Sequence, residues 1–248
     1  MIVGALLYYG RAVDNKILTA LSAIGSQQSK ATENTKKAII MLLDYCATYP
    51  NDGIKYRSSD MVLCGHSDAG FNNERGSRSR AGAHIFLSED DNFPRWNGPV
   101  LTIAQIMKYI LTSAAEAETA ALFLTAKEMV ALRNTLEEMG WKQPPSPLQC
   151  DNSTAVGYTN QTIVSKKSKS WDLRLRWLRC RAAQDQFRIY WDSGKNNYGD
   201  YHTKHHPPCY HESKRDMGFA GLCGCWAVFL EYVIGVLAKH SSKGVLDP

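Results

Sequence analysis

Apolar and polar positions divide the chain into three zones. The first runs to about Ser58. It opens with the apolar stretch Ile2 to Tyr9. From about Thr35, residues Ala38, Ile39, Leu42, Leu43 and Cys46 fall at three- and four-residue spacings, which predicts a helix with one apolar face. Tyr49-Pro50-Asn51-Asp52-Gly53 supplies the turn residues that end it.

The second zone, about Ser59 to Glu212, begins with a strand pattern, Met61 to His66, that leads into Ser67-Asp68-Ala69-Gly70, where a turn is expected. Another strand is expected over Ala81 to Leu87 and a third from Pro99, so hairpins follow. Ser113 to Met139 is rich in Ala, Leu, Met and Glu, with Gly140 placed as a stop, and predicts a long helix. After Pro144, Pro145 and Pro147, Leu148-Gln149-Cys150 reads as a short strand delivering Asp151 to the start of another helix. A basic helix over Lys166 to Arg181 and a strand over Phe187 to Trp191 precede the loop Asp192 to Gly199 and then Asp200. Strands first, then helix, strand, helix and strand, predict a mixed α/β sheet.

The third zone contains an apolar run, Met217 to Ala238, just long enough to cross a bilayer. Its charged Glu231 and four glycines argue against a membrane role. With 248 residues, 44% hydrophobic and 21% charged, the chain can bury one core of ordinary domain size beside a smaller companion segment. A formal net charge of +5 is too small to identify a partner, so any nucleic-acid argument depends on where the basic residues sit. Seven cysteines form an odd, scattered set and no leader pattern opens the chain, so the expected setting is intracellular, in cytoplasm or nucleus, and not secreted. His205, His206, Cys209, His211, Cys223 and Cys225 are metal-capable, but their spacing matches no zinc pattern.

Four acids stand out by context: Asp68 and Asp151 after strands, Glu116 in the first turn of the long helix, and Asp200 after an Asn-rich loop. Carboxylates gathered at one sheet edge repel one another and need cations, and oxygen donors suit Mg²⁺ or Mn²⁺. Taken singly, each is as readily a helix cap or a dipole partner.

The four contexts read together resemble a known family. Gly65-His66-Ser67-Asp68-Ala69-Gly70, Ser113-Ala114-Ala115-Glu116-Ala117-Glu118, Cys150-Asp151-Asn152-Ser153-Thr154-Ala155 and Gly199-Asp200-Tyr201-His202-Thr203-Lys204 resemble, in order, the ribonuclease H blocks of copia-type retrotransposon polyproteins. The likeness runs from about Ile2 to Glu212. It implies a ribonuclease H-like mixed five-stranded sheet with flanking helices over residues 59–212, preceded by a small helical connection segment, residues 1–58. Residues 213–248 form an apolar tail with no implied role.

The resemblance further implies cleavage of the RNA strand of an RNA–DNA hybrid with two Mg²⁺ ions, Mn²⁺ substituting, beside a reverse transcriptase polymerase domain in cis or trans. Asp68, Glu116, Asp151 and Asp200 become the catalytic metal ligands, with Asp68 and Asp200 holding the metal that handles the water. Glu118 competes for the second position; periodicity does not separate the two, and the resemblance favours Glu116. The mobile histidine that many relatives carry before the last aspartate is missing from Asp192 to Gly199, where His202 is a weak substitute.

Between Lys166 and Arg181 stand Lys166, Lys167, Lys169, Arg174, Arg176, Arg179 and Arg181, with Trp171 and Trp177 interleaved and Asp172 opposed. Phosphate contact is favoured over a merely solvated face. Asn152 and Ser153, beside Asp151, are expected to reach the minor groove and its 2′-hydroxyls. Two other readings compete. A transposase or integrase shares sheet and chemistry but orders its ligands Asp, Asp, Glu. A catalytically inactive or partner-dependent nucleic-acid-binding fragment would keep the fold alone.

Overall fold

The computed structural model describes residues 2–163 and 172–215, and these form two compact units, each considered by itself. The larger, Tyr56–His206, is built on a five-stranded sheet of order β3-β2-β1-β4-β5. Its strands are β1 (Val62–Glu74), β2 (Arg78–Ser88), β3 (Pro99–Ile106), β4 (Ser146–Cys150) and β5 (Phe187–Trp191). β1 pairs antiparallel with β2, and β2 with β3, whereas β1–β4 and β4–β5 are parallel. This is the mixed, ribonuclease H-like arrangement expected from the sequence.

The helices of this unit are α4 (Ala114–Glu138), α5 (Ser153–Thr159) and α6 (Asp172–Ala183), numbered after three helices of the other unit. Leu63, Ile85, Leu148 and Ile189 from the sheet pack with Leu122, Ala126, Met129 and Leu178 from α4 and α6 in one core. α6 contributes Leu175 and Leu178, three positions apart, so a helix crowded with arginine still has an apolar seam. Removing that much apolar surface from water is the main favourable term in the unit, at about 25 cal/mol per Å².

Sequence punctuation misplaces one boundary. Ser67-Asp68-Ala69-Gly70 does not turn; β1 continues to Glu74, and Asp68 lies inside the ladder, opposite Gly82. The register breaks only between Gly70 and Glu74, where Asn72 takes φ 52°. Pairing with β2 along the whole stretch overrides the local turn signal.

The smaller unit takes in Met1–Lys55 and the stretch that begins at Pro207. Its helices α1 (Ile2–Ala12), α2 (Leu18–Gly25) and α3 (Glu33–Thr48) pack through Leu6, Tyr9, Ile17, Leu21, Leu42 and Cys46, and α7 (Pro208–Arg215) follows. Thr32 caps α3 in a capping box with Thr35. Lys16 is buried between two carboxylates, 2.6 Å from Asp52 and 3.7 Å from Asp14. Burial pushes Asp14 up to about 6 despite the pull of Lys16. Among the described residues, no helix is long and apolar enough to cross a membrane; Met217 to Ala238 lies outside them.

Removing Lys16 strands two buried carboxylates, so a Lys16→Met substitution is expected to destabilise the helical unit by about 3–5 kcal/mol. Hydrogen exchange at the α1–α3 amides measures this; protection equal to wild type would show that the cluster contributes nothing.

Candidate active site

Parallel pairing sets the first two acids side by side. Ser67 is in register with Cys150, so the next positions along β1 and β4 are Asp68 and Asp151. Asp192 follows Trp191 at the corresponding position beyond β5, but its carboxylate accepts from Ser193 N–H and Asn196 Nδ2 and closes its own loop.

Asp200 arrives from the far end of the unit on a single 3₁₀ turn, Asp200–His202. Buried Asn197 fastens that segment, donating from Nδ2 to the Ser67 carbonyl at 2.8 Å while its Oδ1 accepts from Gly199 N–H at 2.9 Å. Thr203 donates to Asp68 Oδ2 at 2.5 Å, and Asn73 Nδ2 donates to the Thr203 carbonyl at 2.6 Å. A glycine makes the approach possible: a Cβ on Gly82 would stand 2.4 Å from the Gly199 carbonyl oxygen. The residue facing Asp68 across the ladder therefore has to lack a side chain.

The fourth acid is Glu118. Its carboxylate takes a hydrogen bond from Ala69 N–H, feels the fields of Asp68 and Asp151, and lies 3.8 Å from the Cys150 thiol, which donates to it. Oxygen and sulfur atoms of Glu118, Cys150 and Asp151 all lie within 4.8 Å of one another. Glu116, which the resemblance favoured, is engaged locally: its Oε2 accepts from Thr112 N–H and Thr112 Oγ1, both at 2.7 Å. Ser113 accepts from Glu116 N–H, so Ser113-Ala114-Ala115-Glu116 works as the start of α4. Side chains two apart on a helix point to different faces, and the Thr112 contacts engage the Glu116 carboxylate at the helix start.

Electrostatics follow from burial. Asp68, 3% exposed, is pushed up to about 6 chiefly by desolvation, with Asp151 and Asp200 adding to the rise and the Thr203 hydrogen bond opposing it. Desolvation, then Asp68 and Asp151, carries Glu118 well above the usual carboxylate range. Asp151 is raised by burial and then by Asp200. The Cys150 thiol is raised well above its ordinary value by burial and then by Glu118, so it stands as a neutral donor. Lys204, four residues after Asp200, pairs with its Oδ1. Burial alone would lower Lys204, but Asp200, Asp68 and Asp151 raise it.

The donor set fits divalent cations. Four carboxylates converge, two of them almost wholly buried, and the cation paired with them is a lysine whose side chain is 55% exposed. Hard oxygen ligands suit Mg²⁺ or Mn²⁺, and a bound cation reverses the upward pressure on their pKa values.

Three histidines of this unit are buried. His66 and His202 are lowered to about 3 and His84 to about 4, each mainly by burial. His202 is 1% exposed, so it does not replace a mobile surface histidine as the sequence suggested.

The predicted nucleic-acid contacts scatter. Arg176 is exposed on α6, Arg174 lies 4.0 Å over the Tyr109 ring, and Arg181 lies 5.1 Å from the Trp177 ring. Arg179 is spent within the fold, donating twice to the Tyr158 carbonyl at 2.9 and 2.6 Å. Lys166, Lys167 and Lys169 lie outside the described residues. Asn152 caps α5, accepting from Ala155 N–H at 3.0 Å, and Ser153 is exposed beside it.

No family model matches the chain. Over 202 residues it is 23% identical to the retrovirus-related Pol polyprotein from transposon TNT 1-94 of Nicotiana tabacum, covering 82% of this chain but only 15% of that polyprotein. Among solved structures it is similar to LC11-RNase H1, isolated from compost by a metagenomic approach, at a TM-score of 0.44 and 12% identity, over 58% of this chain and 93% of that one. An N-terminal RNase H domain from Mycobacterium tuberculosis superposes at 0.40 with 16% identity, over 57% and 95%. LC11-RNase H1 in complex with an RNA/DNA hybrid gives 0.43 and 12%, over 57% and 93%. Strand order and direction, not these weak superpositions, define the fold.

Protonated Asp68 is favoured in the folded state, so the stability it contributes is whole below about pH 4 and is lost as pH rises through about 6. In EDTA, Asp68→Asn is therefore expected to be more stable than wild type by about 1–3 kcal/mol near neutrality, the gap closing toward pH 4. Urea melts across that range measure it; a gap that ignores pH would mean that Asp68 is not a strained acid.

Proposed function

We propose that the chain is the ribonuclease H part of a copia-type retrotransposon reverse transcriptase, which cuts the RNA strand of RNA–DNA hybrids with two divalent cations. The observation that carries this reading is the convergence of Asp68, Glu118, Asp151 and Asp200 from four separate elements onto one edge of a ribonuclease H-like sheet. Likeness to a transposon Pol polyprotein supports the retroelement setting. The chain spans a small fraction of that polyprotein, so a polymerase domain in cis or trans belongs to the proposal; an intracellular location is part of it on the cysteine pattern alone.

In this scheme Asp68, Glu118, Asp151 and Asp200 hold the cations, with Glu118 taking the place first given to Glu116. When bound, such cations activate water and stabilise the departing oxygen of a phosphodiester, so no nucleophilic side chain is required. The chain's own residues fix the frame. Thr203 holds one oxygen of Asp68, Ala69 N–H and the Cys150 thiol hold Glu118, and Asn197 clamps the segment carrying Asp200. Arg176, which is exposed, is assigned to backbone phosphates, as are Lys166, Lys167 and Lys169 from the sequence; such contacts do not read sequence. Asn152 and Ser153 remain the proposed contacts to the 2′-hydroxyl side.

With the full chain, Mg²⁺ and a labelled hybrid, Glu118→Gln and Asp151→Asn are expected to lose more activity than the roughly 10–100-fold that removing a ligand's supporting partner costs. Glu116→Gln should keep cleavage and lose only about 0.5–2 kcal/mol of stability as a weakened cap. Loss of cleavage in Glu116→Gln with Glu118→Gln intact would reverse the assignment, and hybrid binding without metal-dependent cutting by wild type would favour a partner-dependent binding module.

A further inference from the structure

A cavity of about 220 Å³ opens beside the acid cluster, with His66, Trp96, Gln149, Tyr190, Asp192 and Tyr198 among the residues lining it. Its floor is formed by cross-strand neighbours: His66 is in register with Gln149, and Gln149 with Tyr190. His66 and Gln149 each stand two residues before an acid, Asp68 and Asp151, so the floor lies about 6–7 Å along the strands from them. The space is about seven times the ~30 Å³ share of one water and below the ~300–1,000 Å³ of drug-sized pockets, which suits a single ring system.

The walls are aromatic. The Trp96 and Tyr198 rings lie 5.6 Å apart at 36°, and His66 and Tyr198 5.5 Å apart at 34°, so one side presents a nearly continuous π surface. Phe93 meets the Tyr190 ring edge-on at 5.6 Å. The His66 ring is oriented by Tyr198 N–H, which donates to its Nδ1 at 3.3 Å.

Gln149 borders the cavity and is 1% exposed, and its buried Nε2 has no acceptor among the described residues. A buried donor without an acceptor is costly and rare in a native fold. At the rim, Asp192 is fixed by Ser193 N–H and Asn196 Nδ2 and offers a carboxylate edge. Aromatic surface, a buried amide donor and a nearby acceptor form the chemistry that receives a planar heterocycle carrying both acceptor and donor atoms.

We infer that this cavity is a nucleobase subsite: it takes one unpaired base against the Trp96–Tyr198 wall, with a ring nitrogen or carbonyl of the base accepting from the Gln149 amide. Stacking on aromatic side chains with an edge hydrogen bond is how unpaired bases are held in general. The subsite extends the nuclease reading by placing an unpaired nucleotide next to the acids, and it is tested without any cleavage.

The probes are adenosine and uridine, which lack phosphate, added to the full chain in EDTA while NMR follows the Gln149 side-chain amide and the Trp96 indole N–H. Saturable, millimolar shifts at both are expected. Gln149→Leu, close in size and free of the unbonded amide, should melt no lower than wild type and bind at least tenfold more weakly, as should Trp96→Ala. Asp68→Asn should bind nucleosides as wild type does. No saturable shift, the outcome if water alone fills the cavity, overturns the inference, as does undiminished binding by Gln149→Leu and Trp96→Ala. A chain that binds nucleosides but never cuts hybrids would sink the nuclease reading and leave the subsite standing; one that cuts but binds no nucleoside does the reverse.

Discussion

Like charges confined to a nearly dry edge of a sheet are the constraint around which the larger unit is arranged. Asp68 and Glu118 are buried, Asp151 and Asp200 lie against them, and one lysine pairs with the set from the solvent side. Left to themselves these groups would move apart or take up protons. They are held by neighbours that have little freedom: a paired strand under Asp68, the start of a long helix under Glu118, and a polar clamp on the segment carrying Asp200. Native proteins retain such local conflict where chemistry needs it and offset it elsewhere, here by the apolar core between sheet and helices.

Three buried histidines obey the same rule. Burial lowers His66, His84 and His202, while Lys204, raised by Asp200, Asp68 and Asp151, pairs with Asp200 from the solvent side. Desolvation disfavours a charged imidazole as it disfavours a charged carboxylate, and the difference lies in what each group has to do.

Much of this is legible in the amino-acid sequence alone. The order of strands and helices predicted a mixed sheet, and the blocks around Asp68, Asp151 and Asp200 marked three acids that the structure brings together. For the fourth, the sequence left Glu116 and Glu118 as competitors with the resemblance favouring Glu116, whereas in the structure Glu118 lies among the acids and Glu116 is engaged at the start of α4. Asn197 and Thr203 had no local signal, because their partners stand 130 and 135 residues away. The turn expected after Asp68 failed for the same reason: pairing with β2 is a tertiary fact. A run of arginines reads as a binding surface, yet Arg179 serves its own fold, since charge counting does not see which guanidinium finds a carbonyl.

That long reach has a consequence for how the protein comes into being. A chain emerges from the ribosome in order, and contacts of high sequence separation are slow to form because loop entropy is lost before they reward it. Asp68, Glu118 and Asp151 are all made before Asn197, Asp200 and Thr203, and the clamp on β1 waits for those last residues. Nascent chains and early-terminated products therefore carry three of the acids without the segment that completes the set. The edge of the sheet therefore stays without its fourth carboxylate, and β1 without its clamp, until synthesis has passed nearly all of the unit.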